Sequence, residues 1–157
     1  RVEYTRFEVD VKKETSSQRP LSNRVMELPQ VNHAFTGKAY RYAYAAAAAV
    51  KDDVLWGPNQ CLVKFDTDPS VGAESSEETW YFGERAFMQE PIFIPKPGGE
   101  EEDDGYVAVI VNDAGRDASV LHVFDAKKIK DGPVASVDTG EHLPPGLHGY
   151  WSESVHR

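Results

Sequence analysis

The side chains of this sequence with most chemistry to offer are five histidines, one cysteine and two glutamates beside prolines. The histidines are His33, His122, His142, His148 and His156, and the cysteine is Cys61. His142 and His148 flank the segment Leu143-Pro-Pro-Gly-Leu147. Two histidines six residues apart fit no standard zinc spacing, and a zinc site usually takes four ligands. Taken alone, His148 reads as a satisfied structural histidine before it reads as a metal ligand. His122 stands mid-strand in Val120-Leu-His-Val, His33 lies in a surface loop, and His156 is next to the chain end. Cys61 sits within an apolar strand pattern and reads as a buried, unreactive thiol. As the single cysteine, it excludes an internal disulfide and any multi-cysteine metal site. Glu27 stands before Leu28-Pro29, and Glu90 before Pro91. A carboxylate entering an apolar strand has to be paired or hydrogen-bonded; on composition alone, the cap of an exposed strand end is the favoured reading of each. No phosphate-cradling glycine loop, nucleophile elbow, HExxH or CxxC occurs.

The elements that must position these residues are strands. Val2, Tyr4, Phe7, Val9 and Val11 nearly alternate with charged residues, which predicts a half-buried strand. Ala39 to Tyr44, Cys61 to Asp66, Thr79 to Phe82, Ile92 to Pro95, Tyr106 to Asn112, Ser119 to Asp125 and Val134 to Asp138 come next. Each is short, β-branched or aromatic, and bounded by turn formers. Ala45 to Ala49 has local helix character, but the preceding tyrosine alternation favours a strand running into a loop. Asp113-Ala-Gly-Arg predicts a hairpin loop with Gly115 at positive φ. Glu14 to Asn23, Thr67 to Glu78 and Pro95 to Gly105 read as loops, the last carrying the acidic run Glu100 to Asp104 that reads as solvated surface. Short strands at intervals of about ten residues mean a sandwich, a barrel or propeller blades, with no visible sequence repeat.

Composition narrows the function classes. The chain has 157 residues, with 17 basic against 26 acidic side chains and a net charge of −9. That balance argues against nucleic acid and against an anionic membrane surface. The longest apolar run, Tyr42 to Val50, is half of the roughly 18 residues a spanning helix needs. The chain opens on Arg1 with no signal segment. Both ends read as cuts through a longer protein, so localisation, whether cytoplasmic or plastid, is not written in this stretch.

Five segments in order change the reading: Glu27-Leu-Pro-Gln-Val-Asn32, Gly37-Lys-Ala-Tyr-Arg-Tyr-Ala-Tyr44, Glu90-Pro-Ile-Phe-Ile-Pro-Lys-Pro97, Glu101-Glu-Asp-Asp-Gly105 and Leu147-His-Gly149. Together they resemble the carotenoid cleavage oxygenase family, across essentially the whole chain. The resemblance implies an all-β fold, the C-terminal blades of a seven-bladed β-propeller. Residues 1–157 would be the C-terminal part of a single domain whose upstream part is missing. It implies a non-haem Fe(II) cofactor held by four histidines, of which His148 is the last. It implies that Glu27 and Glu90 are two of three glutamates that hydrogen-bond iron-ligating histidines, and that no side chain beyond the metal centre is catalytic. Leu147, beside the ligand, would face the substrate tunnel. The other four histidines match no ligand position. The acidic run matches too, with the structural task of accepting backbone N–H bonds before the Tyr106 strand.

The reaction so implied is oxidative cleavage of a polyene double bond. Its partners are an apolar carotenoid or apocarotenoid and O₂, with membrane association of the full-length protein left open. A stilbene-cleaving or retinoid-isomerising relative is the alternative within the enzymes. A short, non-catalytic propeller-derived binding module is the alternative outside them. The isolated stretch is expected to be inactive, because one histidine cannot hold Fe(II) against water, and poorly soluble, because its sheet edges would be unpaired.

Overall fold

A computed structural model describes residues 4–49, 58–68, 70 and 76–153; Val2, His156 and part of the loop expected from Thr67 to Glu78 lie outside them. The strands are β1 (Thr5–Asp10), β2 (Thr15–Pro20), β3 (Met26–Gln30), β4 (Tyr42–Ala48), β5 (Asn59–Asp66), β6 (Glu77–Tyr81), β7 (Ala86–Met88), β8 (Ile92–Pro95), β9 (Gly105–Asp113), β10 (Ala118–Asp125) and β11 (Pro133–Asp138). All pairings among the described residues are antiparallel. One sheet runs β3-β4-β5-β6 and another β11-β10-β9-β7, with β8 sharing the β9 edge with β7. β1 and β2 form a separate two-stranded ribbon. Two antiparallel meanders, the second with β7 and β8 in line along one edge, are the kind of unit a propeller is built from.

The two meanders pack face to face. Tyr44, Ala46 and Leu62 from one sheet meet Met88, Phe93, Val107, Val109, Val111 and Phe124 from the other, all buried. Each large apolar side chain buried here contributes about 1.5–3 kcal/mol. Tyr44 Oη donates to the Ala126 carbonyl at 3.0 Å, so the one polar atom of that ring is satisfied. A second cluster lies on the opposite face of the first sheet, where Met26, Ala45, Ala47, Cys61, Val63 and Phe65 are covered by Tyr4 and Leu21. β4 is thus buried on both faces, which suits its small alanines. The strand continues through Ala48 instead of ending in a loop, because two-sided burial outweighs alanine's helix preference. Cys61 lies in this second cluster, 2% exposed, and burial pushes its thiol pKa up.

Two irregularities shape the edges of the sheets. Between Glu27 and Gln30, β3 advances three residues while β4 advances two, from Ala46 to Tyr44. This one-residue bulge has Leu28 at φ 53°, a left-handed conformation that costs a branched residue about 1–3 kcal/mol. Between Met88 and Ile92 the chain advances four residues against three on β9, from Val111 to Ala108. A second bulge therefore falls on Gln89-Glu90-Pro91. Each bulge carries a proline in an edge strand, where a missing N–H is tolerated.

Several expectations are corrected. β1 forms as expected, but Phe7 and Val9 are 69% and 70% exposed, because β1 pairs only with β2 among the described residues and no described layer covers that face. Glu14 to Asn23 is mostly strand β2, which has no apolar periodicity because it is exposed throughout and is held by pairing alone. The β9–β10 hairpin puts Asp117, not Gly115, at positive φ; the Asp113 carboxylate accepts from the Gly115 and Arg116 amides and makes the turn itself. β3 and β7 are strands that the residue pattern does not predict; each is short, β3 being interrupted by its bulge and β7 ending at the next one.

The acidic run is a clamp between sheets, not only solvated surface. Glu102 accepts the Arg41 and Tyr42 amides at 2.6–2.9 Å. Asp103 pairs with Lys64 at 2.7 Å, with side chains 12% and 7% exposed. Asp104 accepts the Glu100 and Glu101 amides and pairs with Lys127 at 2.7 Å. These are the backbone-accepting roles expected of the segment.

The clamp makes two predictions. Asp103→Ala strands the Lys64 ammonium in a buried site and should cost about 3–5 kcal/mol in urea unfolding, whereas Lys64→Met with Asp103→Leu should recover most of that loss. The Lys127 ammonium, and then the backbone amides, hold the Asp104 carboxyl down at about 2. A depressed pKa contributes stability that is present above the usual carboxylate value of about 4 and is lost as pH falls through about 2. The thermal midpoint should therefore drop across that window, and Asp104→Asn should flatten the drop.

Candidate metal-ligand site

After β11 the described residues, 139–153, have no regular structure and are held by side chains instead of a strand. The Glu141 carbonyl accepts the Ser119 amide, and Ser119 Oγ accepts the Leu143 amide at 2.9 Å. Gln89 Oε1 accepts the Gly146 amide at 3.0 Å. Glu90 Oε2 accepts the Gly149 amide at 2.7 Å. The side chains of the second bulge thus do for this segment what a neighbouring ladder would do. Gly149 lies close on Ile92, where an added Cβ would sit 2.9 Å from Ile92 Cδ1.

This docking brings His148 to Glu90. Nδ1 of His148 stands 3.2 Å from Glu90 Oε1. Glu90 is 8% exposed, while the His148 side chain is 68% exposed. Gln30 Nε2 also donates to Glu90 Oε1, at 2.7 Å. Burial pushes the Glu90 carboxyl up, but the Gly149 amide, the His148 ring and the Gln30 amide together outweigh it and hold the group below its ordinary value. The carboxylate is therefore ionised and can only accept, so it selects the tautomer with the proton on Nδ1. Nε2 is left as the lone-pair nitrogen, on an exposed ring whose far side is fixed. That is how a metal-ligating histidine is commonly prepared.

The other expected residues are dispersed. Glu27 is half-buried and faces the same side of its sheet as Ala46 and Tyr44; the structure does not bring it to His148, and none of the described residues hydrogen-bonds its carboxylate. Leu147 is 71% exposed and, with Ile92, Ala108, Ile110 and Leu121, lines an apolar cavity of about 190 Å³ beside His148. His33 opens a one-turn 3-10 helix and is exposed. His122 binds Ser136 Oγ through Nδ1 at 2.8 Å and packs against Phe82; burial pushes its pKa down. His142 lies 3.9 Å from Asp117. Among the described residues, no three His, Cys, Asp or Glu side chains converge on a point where they could hold a metal. Sequence reasoning missed Gln30 and Gln89 as site residues. Both are neutral amides with no ligand chemistry; Gln30 is signalled only by its place in the Glu27 to Asn32 segment beside Pro29, and Gln89 only by its proximity to Pro91.

The geometry makes one prediction without any metal. In Glu90→Ala the Gly149 amide loses its acceptor, and its hydrogen exchange should speed up by at least about tenfold, while amides in the β9–β10 ladder keep their protection.

Comparison with known proteins gives a consistent set. Residues 1–153 match the family described as retinal pigment epithelial membrane protein. The chain is 35% identical over 138 residues to the chloroplastic carotenoid cleavage dioxygenase 7 of Arabidopsis thaliana, covering 83% of this chain and 22% of that protein. It is 33% identical over 150 residues to the apocarotenoid-15,15'-oxygenase of Synechocystis, covering 95% and 29%. It is 28% identical over 141 residues to a lignostilbene-alpha,beta-dioxygenase isozyme of Sphingomonas paucimobilis, covering 87% and 28%. Among solved structures it superposes on a variant of the Synechocystis apocarotenoid oxygenase with TM-score 0.89 at 31% identity, covering 97% of this chain and 30% of that one. A cobalt-substituted form of the Synechocystis enzyme gives 0.87 at 32%, with the same coverage. These structures are β-propellers, and the all-β fold described above is part of one. The chain spans less than a third of the length of each of these relatives.

Proposed function

The chain belongs to the carotenoid cleavage oxygenase family, and on that premise we propose that it is the C-terminal part of the single domain of a non-haem Fe(II) oxygenase that cleaves a carbon–carbon double bond of a carotenoid or apocarotenoid. The observation that carries the reading is the Glu90–His148 pair, 3.2 Å between Oε1 and Nδ1, which leaves Nε2 as the donor on an exposed ring. The donor chemistry fits iron, since neutral imidazole suits that metal. One imidazole is too few to hold it, and the other donors come from parts of the protein outside these residues. When bound, the iron supplies activation of O₂ at positions the protein leaves open.

The residues of this chain have three tasks. His148 offers Nε2 to the metal. Glu90 accepts the Nδ1 proton, fixes the ring plane, and places a negative charge near a site whose neutral imidazoles bring none. Gly149 and Gln30 hold that carboxylate by donating to it. Glu27, with a carboxylate that no described residue hydrogen-bonds, does the same for a histidine outside the chain. Leu147 and the apolar cavity beside His148 contribute to the wall along which the polyene lies, and their chemistry excludes water from it. The cleavage leaves two carbonyl products. The lignostilbene-cleaving relative favours one second reading, a stilbene substrate. Product analysis of the whole protein with a carotenoid, an apocarotenoid and a stilbene separates the two.

In the whole protein, His148→Ala should purify essentially without iron and without cleavage activity. Glu90→Gln should keep the fold and weaken iron retention by about ten- to a hundredfold. Metal analysis by plasma mass spectrometry checks both, and full iron occupancy in His148→Ala would overturn the proposal.

A further inference from the structure

Gln30 is bonded more closely to the Glu90 carboxylate than His148 is. Its Nε2 donates to Oε1 at 2.7 Å, and the His148 Nδ1 reaches the same oxygen at 3.2 Å. Oε2 is held by the Gly149 amide at 2.7 Å. The terminal torsion of a glutamate is broad, with no steep staggered wells of its own. Donors on both oxygens close that freedom, so the direction of the lone pair facing His148 is set by Gln30 on one side and by Gly149 on the other. Gly149 is the neighbour of His148 and moves with it. Gln30 is the independent anchor, because it lies sixty residues upstream on a strand of the other sheet.

Gln30 reaches this position only through the bulge in β3. Residues three apart on a regular strand point to opposite faces. Here Glu27 opposes Ala46 and Gln30 opposes Tyr44, two β4 residues that share the face toward the core between the sheets. Without the extra residue, Gln30 would turn to the face of Met26, which opposes Ala47 in the second cluster. The left-handed Leu28 thus aims two polar side chains, Glu27 and Gln30, the same way. A strained branched residue held in an edge strand calls for such a reason.

We propose that Gln30 is a positioning residue for the metal centre: it acts through Glu90, fixing the carboxylate that orients the His148 ring. The inference rests on the proposed function, in which His148 ligates iron.

The test is iron loss from the loaded whole protein to a ferrous chelator, monitored by colour. Gln30→Met keeps length and volume and removes the donor. It should release iron about tenfold faster, the lower end of the effect of a group outside the ligands, with its thermal midpoint within about 3 °C of the parent. In a Glu90→Gln background the same change should add nothing, since the path through Glu90 is already gone. If Gln30→Met misfolds, Gln30→Asn, which keeps the amide but falls one methylene short, gives the same reading. Iron loss at the parental rate in a folded variant overturns the inference, as does an effect that multiplies with Glu90→Gln. His148→Ala separates the two levels. If it loses iron while Gln30→Met retains it, this inference alone fails; if it retains iron, the proposed function fails and takes this inference with it.

Discussion

A glutamate buried at the edge of a sheet must collect donors, and the site is arranged around the three that Glu90 collects. Left alone in that position, its charge would be costly enough to protonate it or to open the strand. The donors come from two separate stretches: the Gln30 amide from the first sheet, and the Gly149 amide and the His148 ring from the irregular chain after β11. Satisfying one carboxylate therefore ties the last segment of the chain to one sheet and that sheet to the other. The same bonds that keep the charge buried leave the imidazole with a defined tautomer and an outward lone pair.

Bulges make these contacts reachable. Both edge strands nearest the site gain one extra residue, and both do so beside a proline. A proline cannot complete the ladder, so the local loss of pairing is already present, and the bulge turns it into a change of side-chain direction. In β3 the change puts Glu27 and Gln30 on one face. Between β7 and β8 it interrupts the β9 pairing after the Gln89 amide, which still donates to the Ile110 carbonyl, and leaves the Gln89 and Glu90 side chains to receive the amides of Gly146 and Gly149.

The sheets that carry these edges are held in register by two unlike means. A dry core from Tyr44 to Phe124 supplies most of the attraction, and the acidic run supplies direction. Glu102, Asp103 and Asp104 reach the start of β4, the middle of β5 and the turn after β10. Apolar burial alone would allow sliding by a fraction of a residue, whereas charged acceptors on particular amides do not. Gln30 can reach Glu90 across the sheets only if that offset is kept, so the clamp matters for the site some distance away from it.

Strand after strand is legible in the sequence, because period-two alternation is a local property of residues that share one face. Cys61 as a buried thiol comes from the same pattern. The five segments that carry the family resemblance point to His148, Glu27 and Glu90. What alternation cannot convey is anything decided by a partner. β2 is exposed throughout and exists only because β1 pairs with it. Ala45 to Ala48 stays extended because both its faces are covered. The acidic run is partly buried because Lys64 and Lys127 lie opposite it. Gln30 is the plainest case: a neutral amide three residues after a glutamate reads as pointing away from it. Only a bulge, visible in the register of two strands and not in either strand alone, turns it toward Glu90. Residue pattern alone is enough for most of the strands and for the residue types able to bind a metal, but not for β2, β3 or β7. The tertiary structure decided which carboxylate meets which ring, because that depends on the offset between sheets, and no local pattern encodes an offset.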